Sequence, residues 1–286
     1  MKYLVTGGNG QLGYDIVREL KARGITDIVM CDRSSFDITD RESTVSFIVR
    51  ENPDVIFHCA AWTQVDKAED MEDLVYQVNV EGTKNITDAA KICDSKLFYI
   101  STDYVFDGTK DGLYEVNDIP NPMSVYGKTK YLGEEITKSY PKSFIVRISW
   151  VFGINGNNFI KTMLKLSETR NELNIVDDQI GSPTYTYDLS KLLVDMSYTD
   201  KYGIYHATNS GFCSWAELAE CVFALVDREV KVNKVTTLEY LNLTGSRQAY
   251  RPRNSKLSKS SLVENGFDEL PSFEDAAKRY IKELSR

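Results

Sequence analysis

Short apolar runs rich in β-branched and aromatic residues punctuate the first half of the chain, at Tyr3–Val5, Ile28–Met30, Val55–Cys59, Leu97–Ile100 and Phe144–Ile148. Their length and the turn residues around them predict strands. Between most of them the apolar positions follow a helical period instead. Leu12, Ile16, Val17 and Leu20 repeat this way and predict a helix over 12–22, with Gly24 as its stop. Strand alternating with amphipathic helix is the pattern of an α/β, doubly wound parallel sheet covered on both faces. Beyond Phe152 the alternation weakens, and turn-rich stretches such as Gly153–Asn158 and Gly181-Ser182-Pro183 appear among shorter helical patterns. The chain is therefore expected to divide into a first domain over 1–152, with a returning segment at about 183–204, and a smaller interleaved lobe over 153–182 and 205–286. Asp188–Met196 reads as the helix that returns to the sheet, and Phe273–Leu284 as a terminal amphipathic helix.

The first strand runs straight into Thr6-Gly7-Gly8-Asn9-Gly10-Gln11-Leu12-Gly13, which opens the first helix. Glycine at 7 and 10 lets the backbone turn tightly and approach a pyrophosphate, and glycine at 13 lets helix and strand pack closely. The helix start offers free amides and the positive end of its dipole to the phosphate charge. This marks the first domain as a Rossmann-type, dinucleotide-binding one, with Gly7, Asn9, Gly10, Gln11, Leu12 and Gly13 at the cofactor. Asp32 ends the second strand about twenty residues later, where a carboxylate accepts from the adenosine ribose hydroxyls of NAD. Arg33 follows it and suits the 2′-phosphate of NADP, so the expected cofactor is NADPH or NADH. Ala60-Ala61, closing the third strand, leave room for it.

Tyr126 and Lys130 stand four residues apart, on one face of a helix. A phenol there can protonate the oxygen of a ketone that receives a hydride, and the ammonium is expected to lower its pKa and to meet the nicotinamide ribose. Upstream, Ser101-Thr102-Asp103-Tyr104 closes the fourth strand at the end where open α/β sheets hold ligands. Thr102 can hydrogen-bond the reacting oxygen. Ser101 is expected on the opposite side of the strand, because successive side chains alternate.

Composition narrows the partners. A net charge of −8 argues against nucleic acid, and no stretch has the length and apolarity of a membrane span. Met1-Lys2 leads directly into the first strand, which leaves no room for a signal peptide and gives a cytoplasmic location as the expectation. The cysteines, five in all and widely spaced without a C-x-x-C, are expected as buried thiols, and the two histidines show no paired ligand pattern, so no metal is expected.

The glycine loop and the ordered Thr102, Tyr126 and Lys130 resemble the extended short-chain dehydrogenase/reductase family, whose members mostly act on nucleotide sugars. Further blocks are similar to its dTDP-4-dehydrorhamnose reductase branch: Ala60–Glu69, Ser101–Gly108, Asn158-Phe159, Asp178–Thr184 and Arg251–Leu257. The resemblance runs from the first strand to about Leu262. It implies reduction of the C4 ketone of dTDP-4-dehydro-β-L-rhamnose to dTDP-L-rhamnose, with Tyr126 as proton donor, Lys130 as its electrostatic partner and Thr102 positioning the carbonyl. Asp37-Ile38 resembles the acidic-apolar pair that faces the adenine. Thr63, Val65, Asp103, Tyr104 and Trp150 would face the sugar, while Arg251, Arg253 and Asn158 would supply donors to its diphosphate. Other members of the family leave alternatives open: a related nucleotide-sugar 4-ketoreductase, a 4-epimerase, or a non-catalytic regulatory subunit. A 4,6-dehydratase would need a second carboxylate after Asp103, where Tyr104 stands. Some relatives form magnesium-linked dimers, but no complete acidic set matches here, so a monomer or a homodimer is expected.

Overall fold

The computed structural model describes residues 1–285. Six parallel strands form the central sheet: β1 (Tyr3–Thr6), β2 (Ile28–Cys31), β3 (Val55–His58), β4 (Lys96–Thr102), β5 (Ser143–Ile148) and β6 (Gly203–His206), in the order β6-β5-β4-β3-β1-β2. All five strands expected from the apolar runs are present. The sixth, Gly203-Ile204-Tyr205-His206, is a short edge strand without an apolar run to announce it.

β1 lies between β2 and β3, so successive crossovers leave it toward opposite faces, and the chain is wound doubly. The helix Gln11–Ala22 packs with the returning helix Thr186–Ser197 on one face, through Ile16, Val17, Leu20, Leu189 and Leu193. Helices Arg41–Glu51 and Gly82–Cys93 cover the other, through Ile48, Ile86, Ala89 and Ala90. Side chains on the first face include Tyr3, Phe57, Phe98 and Phe144, whose rings follow one another across β1, β3, β4 and β5 at centroid separations of 6.1, 4.7 and 4.3 Å. The reversal of direction between β1 and β3 opens a crevice at the carboxyl ends of the strands, which is where such sheets bind ligands.

The segments outside the sheet build small sheets and helices over that crevice. Glu172–Val176 pairs in parallel with Lys231–Val235, and Ile180–Gly181 lies between Cys213–Ser214 and Asn254–Ser255. The terminal helix Phe273–Leu284 packs against Phe152, Tyr185 and Leu218 through Phe273, Ala276, Ala277 and Tyr280. Polar ties join this region to the sheet helices. Arg279 forks onto Asp188 at 2.7 and 2.6 Å, Arg18 pairs with Glu283, and Thr186 donates to the buried Asp15.

The expectation of five buried thiols needs correction. All five are free, but only Cys31 and Cys213 are buried; Cys59, Cys93 and Cys221 are half-buried, Cys59 because it lines the crevice. No described helix is long and apolar enough to cross a membrane.

Candidate active site

A cavity of about 810 Å³ runs along the crevice, from the turn after β1 to the start of the helix Val125–Lys138. Every residue assigned to the cofactor in the sequence lines it: Gly7, Asn9, Gly10, Gln11, Leu12, Gly13, Asp32, Arg33, Asp37, Ile38, Ala60, Ala61, Tyr126 and Lys130.

Two of the glycines are steric necessities. Gly7 has φ +65°, and a Cβ there would sit 2.8 Å from the Ala60 backbone nitrogen. A Cβ on Gly13 would sit 2.3 Å from the Gly7 carbonyl oxygen. The helix that follows starts without a side-chain cap among the described residues, so its first-turn amides face the cavity lined by Gln11, Leu12 and Gly13. This cradle fits a dinucleotide pyrophosphate, an anion that needs close backbone approach and free N–H groups. At the adenosine end, Asp32 accepts from Ser34, through hydroxyl and amide, and from Asn9 Nδ2 at 2.6 Å. The Ser34 bonds are the main reason its carboxyl is held below the usual range. Arg33 is exposed beside it.

At the other end, Thr102, Tyr126 and Lys130 converge on the same cavity. Ser124 caps the helix of Tyr126 and Lys130 by accepting from the Gly127 amide at 3.1 Å, and Glu69 Oε1 accepts from Val125 N at 2.9 Å. A Cβ on Gly127 would lie 2.3 Å from the Tyr104 carbonyl oxygen, so the helix start sits directly on the turn after β4. Asn79 ties in the loop after β3. Its Oδ1 accepts from Trp62 N at 2.8 Å while its Nδ2 donates to Thr129 Oγ1 at 3.2 Å. Asn79 lies in a π-helical turn, Gln77–Glu81, which nothing in the apolar period announces.

Ser101 and Thr102 part as strand alternation requires. Ser101 donates to Glu134 beneath the catalytic helix, whereas Thr102 lies beside Tyr126 and donates to Asp103 Oδ1 at 3.0 Å. Asp103 is buried, its Oδ2 accepts from Ser255 at 2.5 Å, and burial pushes its carboxyl up to about 6. The single Thr102 proton is thus turned toward Asp103, and donation to a ligand oxygen requires rotation about one bond.

The expected lowering of Tyr126 by Lys130 does not hold here. Burial dominates both groups: the phenol is pushed well above its usual value, with Asp103 and Tyr104 adding to the rise, and the ammonium is brought down to about 7. A raised phenol keeps its proton at neutral pH, the form that a proton donor needs.

Trp150 closes the crevice from the far side. Its backbone is left-handed (φ 49°), a strained geometry for a large side chain, and its ring stacks on Trp215 at 3.7 Å. Trp150, Tyr104 and Asp103 also border a second cavity of about 220 Å³, with Asn174, Gln179 and Trp215. Thr63 and Val65 line the first cavity and Arg251 the second.

Two expected diphosphate donors are not brought in. The Asn158 amide donates to Gly153 O, Gln11 Oε1 and Tyr280 OH, and its oxygen caps the helix Phe159–Leu166, so it is consumed as a structural joint. Asn157, one residue earlier, is the one that reaches the cavity. Arg253 is exposed and lines neither cavity. Arg251 does reach the cleft, but as a bridge: its Nη2 donates to both Asp66 oxygens at 2.9 and 2.8 Å and its Nη1 to the Tyr104 hydroxyl at 2.8 Å. Asp66 and Trp215 were not singled out in the sequence. Asp66 lies inside a block quoted for the resemblance, whereas Trp215 lies outside all of them.

A family model described as the RmlD substrate binding domain matches residues 1–286. The dTDP-4-dehydrorhamnose reductase of Aggregatibacter actinomycetemcomitans is 39% identical over 284 residues, covering 95% of each chain. A crystal structure of a dTDP-4-dehydrorhamnose reductase from Clostridium acetobutylicum superposes with a TM-score of 0.95 at 40% identity, covering 100% of both chains. Another from Bacillus anthracis, in complex with NADP, gives 0.94 at 40% identity over 99% of this chain and 100% of that one.

Proposed function

Because the chain belongs to the RmlD substrate binding domain family over its whole length, we propose that it reduces the C4 ketone of dTDP-4-dehydro-β-L-rhamnose to dTDP-L-rhamnose, using NADPH or NADH. The observation that carries this reading is the convergence of Thr102, Tyr126 and Lys130 on the one cavity that also holds the glycine cradle.

The Gly7–Gly13 loop, Asp32, Arg33 and Lys130 would hold the dinucleotide, which would supply the hydride for the ketone. Tyr126 gives its proton to the C4 oxygen, and its burial keeps that proton in place until charge develops on the oxygen. Thr102 turns its hydroxyl from Asp103 to the same oxygen and stabilises that charge. Lys130, one turn along the same helix, brings a cation to this end of the cavity, which favours the phenolate left after transfer. Trp150 and Tyr104 wall the sugar, and the second cavity extends the site away from the reacting carbon.

Arg251 is the cation that lines the second cavity among the described residues, and it suits an anionic diphosphate once its fork is shared between Asp66 and phosphate oxygens. Arg251→Ala is expected to raise KM for the nucleotide sugar about ten- to a hundredfold, the weight of one or two charged hydrogen bonds, with a smaller change in kcat. Steady-state kinetics on both substrates checks the split.

Supply of an activated sugar for cell-surface polysaccharide, in the cytoplasm and as a monomer or homodimer, completes the reading. The acidic net charge and the small-molecule scale of the crevice support a nucleotide sugar over nucleic acid as partner. Incubation with dTDP-4-dehydrorhamnose and either reduced dinucleotide, followed by product identification, tests it: dTDP-rhamnose is expected, and no turnover with either dinucleotide would overturn it.

A further inference from the structure

The catalytic helix carries a third buried titratable side chain beyond Tyr126 and Lys130. Glu134 lies one turn past Lys130 and is 1% exposed. Both of its oxygens are held from the sheet. Arg147 of β5, 2% exposed, donates Nε to Oε1 at 2.9 Å and Nη2 to Oε2 at 2.7 Å, and Ser101 of β4 adds its hydroxyl to Oε1. Arg147 is fixed in turn by the Val116 carbonyl at 3.2 Å and by His206 Nε2 at 3.4 Å.

A buried ion pair of this kind is a weak source of stability, because desolvating both charges offsets most of their attraction and a well-packed apolar pair does as well. What an apolar pair cannot do is place a negative charge near Lys130. That lysine is 3% exposed, and no carboxylate lies within ion-pair distance of it among the described residues. Its ammonium rests 4.1 Å from the centroid of the Tyr99 ring, and the Tyr99 hydroxyl donates to the Lys130 carbonyl at 3.0 Å. The fit is close: a Cβ on Gly133 would lie 2.1 Å from that hydroxyl.

We propose that Glu134, clamped by Arg147 and Ser101, is a positioning residue that fixes a carboxylate one helical turn from Lys130 and holds the catalytic helix in register on β4 and β5. The inference rests on the reductase reading. Lys130 is faced by Glu134 from its own helix, by His58 and Cys59 from the end of β3 and by Tyr99 from β4. Glu134 is faced by Arg147 from β5, with His206 of β6 behind it, and by Ser101 and Tyr99 from β4. Burial pulls Lys130 down to about 7, and the Glu134 charge is the largest influence opposing it, ahead of Cys59. The sign follows. Losing Glu134 lowers Lys130 further, so the activity that needs the ammonium is lost at a lower pH and regained on acidification.

The test is the pH dependence of kcat for the wild-type protein, Glu134→Gln, Glu134→Asp and the double variant Glu134→Gln/Arg147→Met. In Glu134→Gln the alkaline limb is expected to move down by about one pH unit, the size of shift a nearby charge produces. Glu134→Asp should bring it back toward the wild-type position. The double variant removes both charges together, so it folds even where the single one leaves Arg147 unpaired, and its limb should stay displaced. A limb that stands at the wild-type position in the double variant, with kcat lowered equally at every pH, overturns the proposal and leaves the pair a packing role. Absence of turnover in the wild-type protein would fail the reductase reading itself and is read separately.

Discussion

Tyr126→Phe is expected to lower kcat by about 10²- to 10⁴-fold, the weight of a positioned general acid, while dinucleotide affinity stays close to that of the wild-type protein. The ring has neighbours that Phe preserves: it meets Tyr104 edge-on at 5.5 Å and belongs to the apolar patch with Trp62, Ala68, Val75 and Val125. Only the hydroxyl beside Thr102 is removed, and no other acid stands ready to replace it. Asp103 is buried and turned to Thr102 and Ser255, and Lys130 points at the Tyr99 ring. Single-turnover kinetics with dinucleotide binding measured in parallel separates the two effects, and wild-type rates in the variant would remove Tyr126 from the chemistry.

Gly13→Ala is expected to act at the other end of the crevice. Its methyl group would need the space of the Gly7 carbonyl oxygen, 2.3 Å away, and of Gly8 Cα at 2.9 Å. Both atoms are backbone, so the loop must shift as a whole. Overpacking of this kind costs about 1–3 kcal/mol. Because the shifted atoms form the phosphate cradle, the cost should appear in binding, as a roughly ten- to a hundredfold rise in the dinucleotide dissociation constant. Fluorescence titration with NADPH and NADH checks this, and a thermal melt shows whether the helix remains packed on β1.

The parts of the molecule that were legible in the sequence are those where the backbone itself carries the signal. Five central strands announce themselves as apolar runs, and the glycine loop fits only one kind of turn. β6 was not legible because Gly203-Ile204-Tyr205-His206, as long as β1, lacks its continuous apolar run and is recruited by pairing with β5. Side-chain direction was the harder problem. Asn158 and Arg253 stand at positions where donors look useful, yet Asn158 is drawn into capping a helix and Arg253 turns outward. Glu134 and Arg147 were not singled out, because nothing local shows that they meet each other underneath the site. Asp66 was hidden for the same reason, since its partner Arg251 lies 185 residues away in sequence.

The most direct test of hydride delivery to C4 uses a reduced dinucleotide carrying deuterium at its transferable position, with dTDP-4-dehydrorhamnose as acceptor. One deuterium at C4 of the product for each dinucleotide oxidised is the result expected. No oxidation of the dinucleotide and no deuterium in the sugar with this acceptor, together with inversion at C4 when a 4-hydroxy nucleotide sugar is supplied in its place, would contradict it, and would place the chain with enzymes that epimerise their substrate.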